Sequence, residues 1–162
     1  MWDISLQMEQ IIEMKLVSAC LIGLCTNYRG ESCVVEELRQ TFARGEVIPV
    51  CPEQLGGLST PRPPAEITGG TAEDVLAGHA RVLQKDGTDV TEAFVRGAQE
   101  VLKLANLLQP EHIIFKEDSP SCGVKSTYDG THTGRLIPGC GITTALLLQN
   151  GFEVISEKEI TS

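Results

Sequence analysis

Four short apolar segments limit what this chain can fold into more than any other feature: Lys15–Ala19 (KLVSA), Glu46–Val50 (EVIPV), His112–Lys116 (HIIFK) and Phe152–Ser156 (FEVIS). A strand wetted on one face alternates apolar and polar residues, whereas a strand covered on both faces reads as a nearly continuous apolar run. The four segments show little alternation and so predict a parallel sheet buried on both sides. Helical periodicity fills the intervals, at Val34–Ala43, Thr91–Leu108 and Thr143–Gln149. The middle pattern places Ala93, Phe94, Ala98, Val101, Leu102 and Ala105 on one face, and Gly151 is a stop signal after the last. Strand–helix alternation implies an α/β fold: a single layered domain with a mainly parallel sheet flanked by helices. Between residues 52 and 90 the pattern weakens. There TPRPPAEITGG reads as a stiff Pro-rich loop, and His79–Lys85 as a further short strand before the Asp86-Gly87 turn.

The 162 residues suit one such domain, and 41% apolar with 22% charged residues is the profile of a chain with a real core. Met14 stands directly before the first strand, so residues 1–13 read as an N-terminal extension and 14–162 as the domain. A net charge of -9 without any Lys/Arg-rich run argues against a nucleic-acid duplex as partner. No run approaches the ~18 apolar residues that span a bilayer. Asp3, Glu9 and Glu13 precede the first strand, against the basic–apolar–small order of a signal peptide, and the expected compartment is the cytoplasm.

In a reducing compartment the six cysteines (20, 25, 33, 51, 122 and 140) point to metal ligation or thiol chemistry rather than disulfides, with small buried packing residues as the plainer reading. Open α/β sheets bind ligands outside the carboxyl ends of their strands. Cys20 follows the first predicted strand, Cys51 the second, and Cys122 comes shortly after the third. Three thiolates at one sheet edge repel one another unless a soft metal centre holds them, which suits zinc, Cu(I) or an iron–sulfur cluster. Structural zinc sites take four ligands, often in CxxC pairs, and the sequence has no CxxC. A cubane on three cysteines keeps one iron open, an arrangement for Lewis-acid chemistry rather than electron transfer.

Glu53, two residues past Cys51, suits a general acid or base, and Ser119, three before Cys122, suits orientation of substrate or water. A first-turn helix-dipole role for Glu53 and capping by Ser119 are equally good readings of the spacing. Arg29, Arg62 and Thr131 are further candidate ligand contacts, and the turn-rich YDGTHTG (Tyr128–Gly134) lies near Cys122 in sequence.

Taken in order, KLVSACLIG, NYRG, GEVIPVCPEQLGGLSTPRPPAEI, DVTEAFVRGAQE, FKEDSPSCG and YDGTHTG followed by GCGITTALLLQNG closely resemble a bacterial family labelled a domain of unknown function. Its better understood members are thiouracil desulfidases. The resemblance runs from about Met14 to the C-terminus. It implies a desulfidase-like α/β domain carrying a [4Fe-4S] cluster on Cys20, Cys51 and Cys122, with one iron open to the sulfur of a small thiolated substrate. The implied reaction is non-redox: water breaks the carbon–sulfur bond and hydrosulfide is released. Glu53 matches the acid/base position of the family's CPE motif and Ser119 the serine of SPSC. Cys25, Cys33 and Cys140 are extra thiols on this pattern. Two other expectations stand beside it: a non-catalytic iron–sulfur or zinc-binding module serving as sulfur carrier or sensor, and a thiol redox enzyme using Cys20 and Cys25.

Overall fold

The structure is a computed structural model that describes residues 12–160. Its elements in chain order are β1 (Lys15–Ser18), a 3-10 turn (Ala19–Ile22), α1 (Glu36–Ala43), β2 (Val47–Val50), α2 (Pro52–Leu55), β3 (Ala65–Thr68) and α3 (Ala72–Leu76). There follow β4 (Arg81–Gln84), α4 (Thr91–Leu108), β5 (His112–Phe115), β6 (Ser126–Tyr128), β7 (Leu136–Pro138), α5 (Ile142–Gln149), β8 (Ile155–Ser156) and α6 (Glu157–Ile160).

The four apolar segments form one parallel sheet in the order β2-β1-β5-β8. Its central strand explains why so little alternation is visible. Leu16 and Val17 point to opposite faces, and both are fully buried. On one face Leu16 packs with Val101 and Ala105 of α4, Leu147 of α5 and Phe115. On the other, Val17 packs with Leu21, Leu38 of α1, Val47 and Ile114. Each large side chain buried in this way contributes roughly 1.5–3 kcal/mol relative to exposure.

A second layer of structure grows from the region of weak pattern. β3 and β4 pair antiparallel, with Ala65 opposite Gln84 and Thr68 opposite Arg81. The strand expected within His79–Lys85 is therefore present. Its partner Ala65–Thr68 lies inside the stretch that reads as a Pro-rich loop, since the prolines before it hide a strand only four residues long. Ile67 and Val82 from this hairpin meet Phe94, Ala98, Ile142 and Ala145 in a separate core cluster. β6 and β7 form a second hairpin whose connection carries most of YDGTHTG.

The fourth sheet segment is shorter than expected. Only Ile155 and Ser156 pair, while Phe152 packs against the core from outside the strand. The N-terminal extension falls almost wholly outside the described residues, which begin at Ile12.

One backbone contact positions the site. A Cβ on Gly97 of α4 would stand 1.9 Å from the Pro52 carbonyl oxygen, and one on Gly56 would stand 1.9 Å from that of Ala93. Only two glycines let α2 lie this close to α4. That contact holds the turn carrying Cys51 and Glu53 against the longest helix.

Candidate functional site

Parallel pairing sets the carboxyl ends of β2, β1 and β5 side by side, with Ser18 opposite Val50. Cys20 sits in the 3-10 turn that leaves β1, a turn ended by Gly23 in the left-handed region at φ 106°. Cys51 is the residue before α2, with Pro52 and acidic Glu53 in that helix's first turn. Cys122 lies in the loop after β5. All three line one cavity of about 550 Å3 together with Glu53, Arg62, Lys116, Ser119 and Ser121. The structure thus brings the three cysteines singled out in the sequence to one cavity. Cys33 joins them on the cavity wall, its backbone N–H bonded to the Cys20 carbonyl at 2.9 Å.

Burial pushes the Cys122 thiol up to about 12, although the Ser18 and Ser121 hydroxyls bonded to its sulfur work the other way. Cys20 is raised still further, first by burial and then by Cys122 and Cys33, while the Lys116 ammonium opposes the rise. Burial also raises Cys51, partly countered by backbone N–H donors from α2 and by Arg62, whose Nη2 lies 3.8 Å from the sulfur. Without a positive centre these neighbouring thiols keep their protons.

Glu53 and Arg62 form a buried ion pair in which the guanidinium reaches Glu53 Oε2 through two nitrogens. Arg62 also donates to the Thr26 carbonyl (3.0 Å), the Ser59 carbonyl (3.2 Å) and Thr60 Oγ1 (2.9 Å). A guanidinium with this many acceptors is fixed, and it anchors the carboxylate in turn. The other oxygen, Glu53 Oε1, accepts from Ser121 Oγ at 3.2 Å. Ser119 Oγ accepts the backbone N–H groups of Cys122 (3.1 Å) and Ser121 (3.3 Å) and lies 3.2 Å from Ser121 Oγ. Ser119 thus shapes the cysteine loop while touching a hydroxyl chain that ends on Glu53.

The remaining candidates separate. Arg62 is at the site, chiefly as the partner of Glu53. Arg29 lines the cavity at its exposed side, donating to Tyr28 Oη at 2.9 Å with its guanidinium carbon 5.3 Å from the ring centre. Thr131 does not line the cavity and instead closes an exposed turn onto Asp129. Tyr128, His132 and Gly134 of the same loop do line it. Cys25 is exposed, does not line the cavity and is not disulfide-bonded to Cys20. Cys140 lies in a smaller cavity and donates to Glu73 Oε1 at 3.7 Å. Sequence reasoning missed Ser121, Lys116 and Glu66. Ser121 was the findable one, since SPSC offers two serines beside the cysteine.

These features define an α/β protein with a thiol-lined cavity at the carboxyl edge of its sheet, backed by a buried carboxylate–guanidinium pair. The chain belongs to the 2-thiouracil desulfurase family, whose sequence pattern matches residues 16–159. It is 47% identical to the uncharacterized protein YbbK of Bacillus subtilis (strain 168) over 147 residues, 91% of this chain and 97% of that one. Its structure is similar to that of a [4Fe-4S]-dependent thiouracil desulfidase, TudS (DUF523Vcz), with TM-score 0.81, 40% identity and coverage of 92% of this chain and 93% of that chain. Among the described residues no helix is long and apolar enough to cross a membrane.

Proposed function

We propose that this protein is a desulfidase that removes sulfur from a thiolated nucleobase or similar cyclic thioamide of the thiouracil type, using a [4Fe-4S] cluster held by Cys20, Cys51 and Cys122. The observation that carries the reading is the meeting of three thiols from three strand ends in one cavity with the buried Glu53–Arg62 pair. Membership of the 2-thiouracil desulfurase family and the likeness to TudS support it.

The donor set fits such a cluster. Three cysteines line one cavity, and soft thiolate ligands of this kind hold iron–sulfur clusters. The cations Lys116 and Arg62, beside Cys20 and Cys51, offset the charge that three thiolates bring to a buried place. When bound, the cluster supplies a Lewis acid for the thiocarbonyl sulfur.

The protein's own part is the water. Arg62 keeps Oε2 of Glu53 occupied, so Oε1 is the oxygen that takes a proton from the attacking water. The water oxygen bonds to the ring carbon, the carbon–sulfur bond breaks, and hydrosulfide leaves with one of the water's protons. Glu53 then gives the proton it gained to water in the cavity, while Ser121, backed by Ser119, orients Oε1.

The full chain, reconstituted anaerobically with iron and sulfide, is incubated with 2-thiouracil while uracil and sulfide are measured. Both should form. Glu53→Gln should keep its iron and lose about 100-fold or more in rate. Cys20→Ala, Cys51→Ala and Cys122→Ala should each lose the cluster, whereas Cys33→Ala and Cys140→Ala keep it. Iron uptake without turnover on any of a panel of thio-bases would leave only a non-catalytic binding module. Equal iron loss in all five cysteine variants would remove the three-ligand arrangement.

A further inference from the structure

We propose that Glu66 sets the substrate specificity of this site by accepting a hydrogen bond from a ring N–H of a cyclic thioamide, an inference that rests on the function proposed above. Glu66 lies on β3 and is only 6% exposed, yet its side chain lines the same cavity as the three cysteines. Its neighbour Ile67 enters the core on the opposite face of the strand. One carboxylate oxygen, Oε2, accepts the backbone N–H of His132 at 3.0 Å and so ties the loop after β6 to the cavity wall. The other oxygen has no protein partner among the described residues.

That second oxygen is not sealed from solvent, so what fills the cavity can donate to it, and a ligand N–H takes the place of a water there. Glu53 differs in that both of its oxygens are engaged, by Arg62 and by Ser121. The two carboxylates therefore divide the work, one for the proton and one for recognition. Thioamide rings of the thiouracil type present N–H groups beside the thiocarbonyl carbon, donors that match an acceptor-only side chain. A site built around such a bond rejects an analogue lacking the donor far better than an apolar wall can.

Glu66→Gln tests this without removing the support for the loop. The amide oxygen must stay with the His132 N–H, because an amide NH2 cannot accept. The NH2 then faces the ligand and opposes its N–H, donor against donor. The probes are 2-thiouracil and its 1-methyl and 3-methyl derivatives, with calorimetric binding and steady-state kinetics on the reconstituted full chain. One methyl isomer should bind wild type about 10- to 100-fold more weakly than 2-thiouracil. Glu66→Gln should weaken 2-thiouracil by a similar factor, raise KM rather than lower kcat, and no longer distinguish it from that isomer. Its iron content and melting temperature should match wild type.

Unchanged binding and unchanged discrimination in Glu66→Gln would overturn the assignment, as would equal binding of all three compounds by wild type. Turnover without discrimination sinks Glu66 and leaves the desulfidase reading standing. Discriminating binding without turnover does the reverse, and no binding by wild type overturns both.

Discussion

The two oxygens of Glu53 have different neighbours, and that difference ranks the serines beside Cys122. Oε2 is held by Arg62, while Oε1 meets Ser121 Oγ at 3.2 Å. Ser119 is one hydroxyl further from the carboxylate and accepts two backbone N–H groups of its own loop. Ser121→Ala should therefore cut turnover about tenfold or more with iron content intact. Ser119→Ala leaves two N–H groups without their acceptor, and should lose roughly 1–3 kcal/mol of stability in denaturant unfolding, more than Ser121→Ala. A stable Ser119→Ala protein that loses rate alone would make Ser119 the hydroxyl next to the reaction. At this scale the sequence was only half readable. Motif order marks Cys20, Cys51, Cys122 and Glu53, but nothing in SPSC distinguishes a serine aimed at Glu53 from one folded back on the chain. Arg62 is similar: its candidacy as a ligand contact was legible, its pairing with a carboxylate nine residues earlier was not.

The loop from β5 to β6 is built around Glu117. Its Oε1 accepts the N–H groups of Val124 (2.7 Å), Lys125 (2.8 Å) and Ser126 (3.0 Å), gathering the chain that carries Ser119, Ser121 and Cys122. Burial alone would raise this carboxyl, but these donors and Ser156 outweigh it and hold the group below the ordinary glutamate value of 4.5. A carboxyl depressed in the folded state binds its proton more readily once unfolded. Its contribution to stability is thus complete above about pH 4.5 and is lost as pH falls through the lower folded value. Melting curves of wild type and Glu117→Gln should lie furthest apart at pH 7 and converge on acidification. A gap that stays constant down to pH 3 would mean that the charge of Glu117 does not support the loop. The elements themselves were legible where they are long or buried on both faces, as with β1 and α4. β3, β6 and β7 were hidden because short strands among Pro, Gly and turn residues give little period to count, and the β3–β4 hairpin takes its place by packing against α4 and α5.

Across the whole molecule, the candidate ligands come from positions 20, 51 and 122, and the sheet alone brings them to one edge. Topology made this part of the site predictable, since parallel strands must all end on the same side. The unfolded chain has no such site, so binding to the three thiols is coupled to folding. A ligand that binds only the folded state raises its stability by mass action. The anaerobically reconstituted protein should melt well above the metal-free protein, and the increment should grow with the iron content of the preparation. Cys20→Ser, Cys51→Ser and Cys122→Ser act on three different strand ends, yet each should abolish the same increment. Cys140→Ser, in the separate cavity beside Glu73, should retain it in full. Calorimetric scans of the matched preparations decide the matter. An increment that survives loss of any one of the three thiols would mean that the strand ends do not act as a single mount.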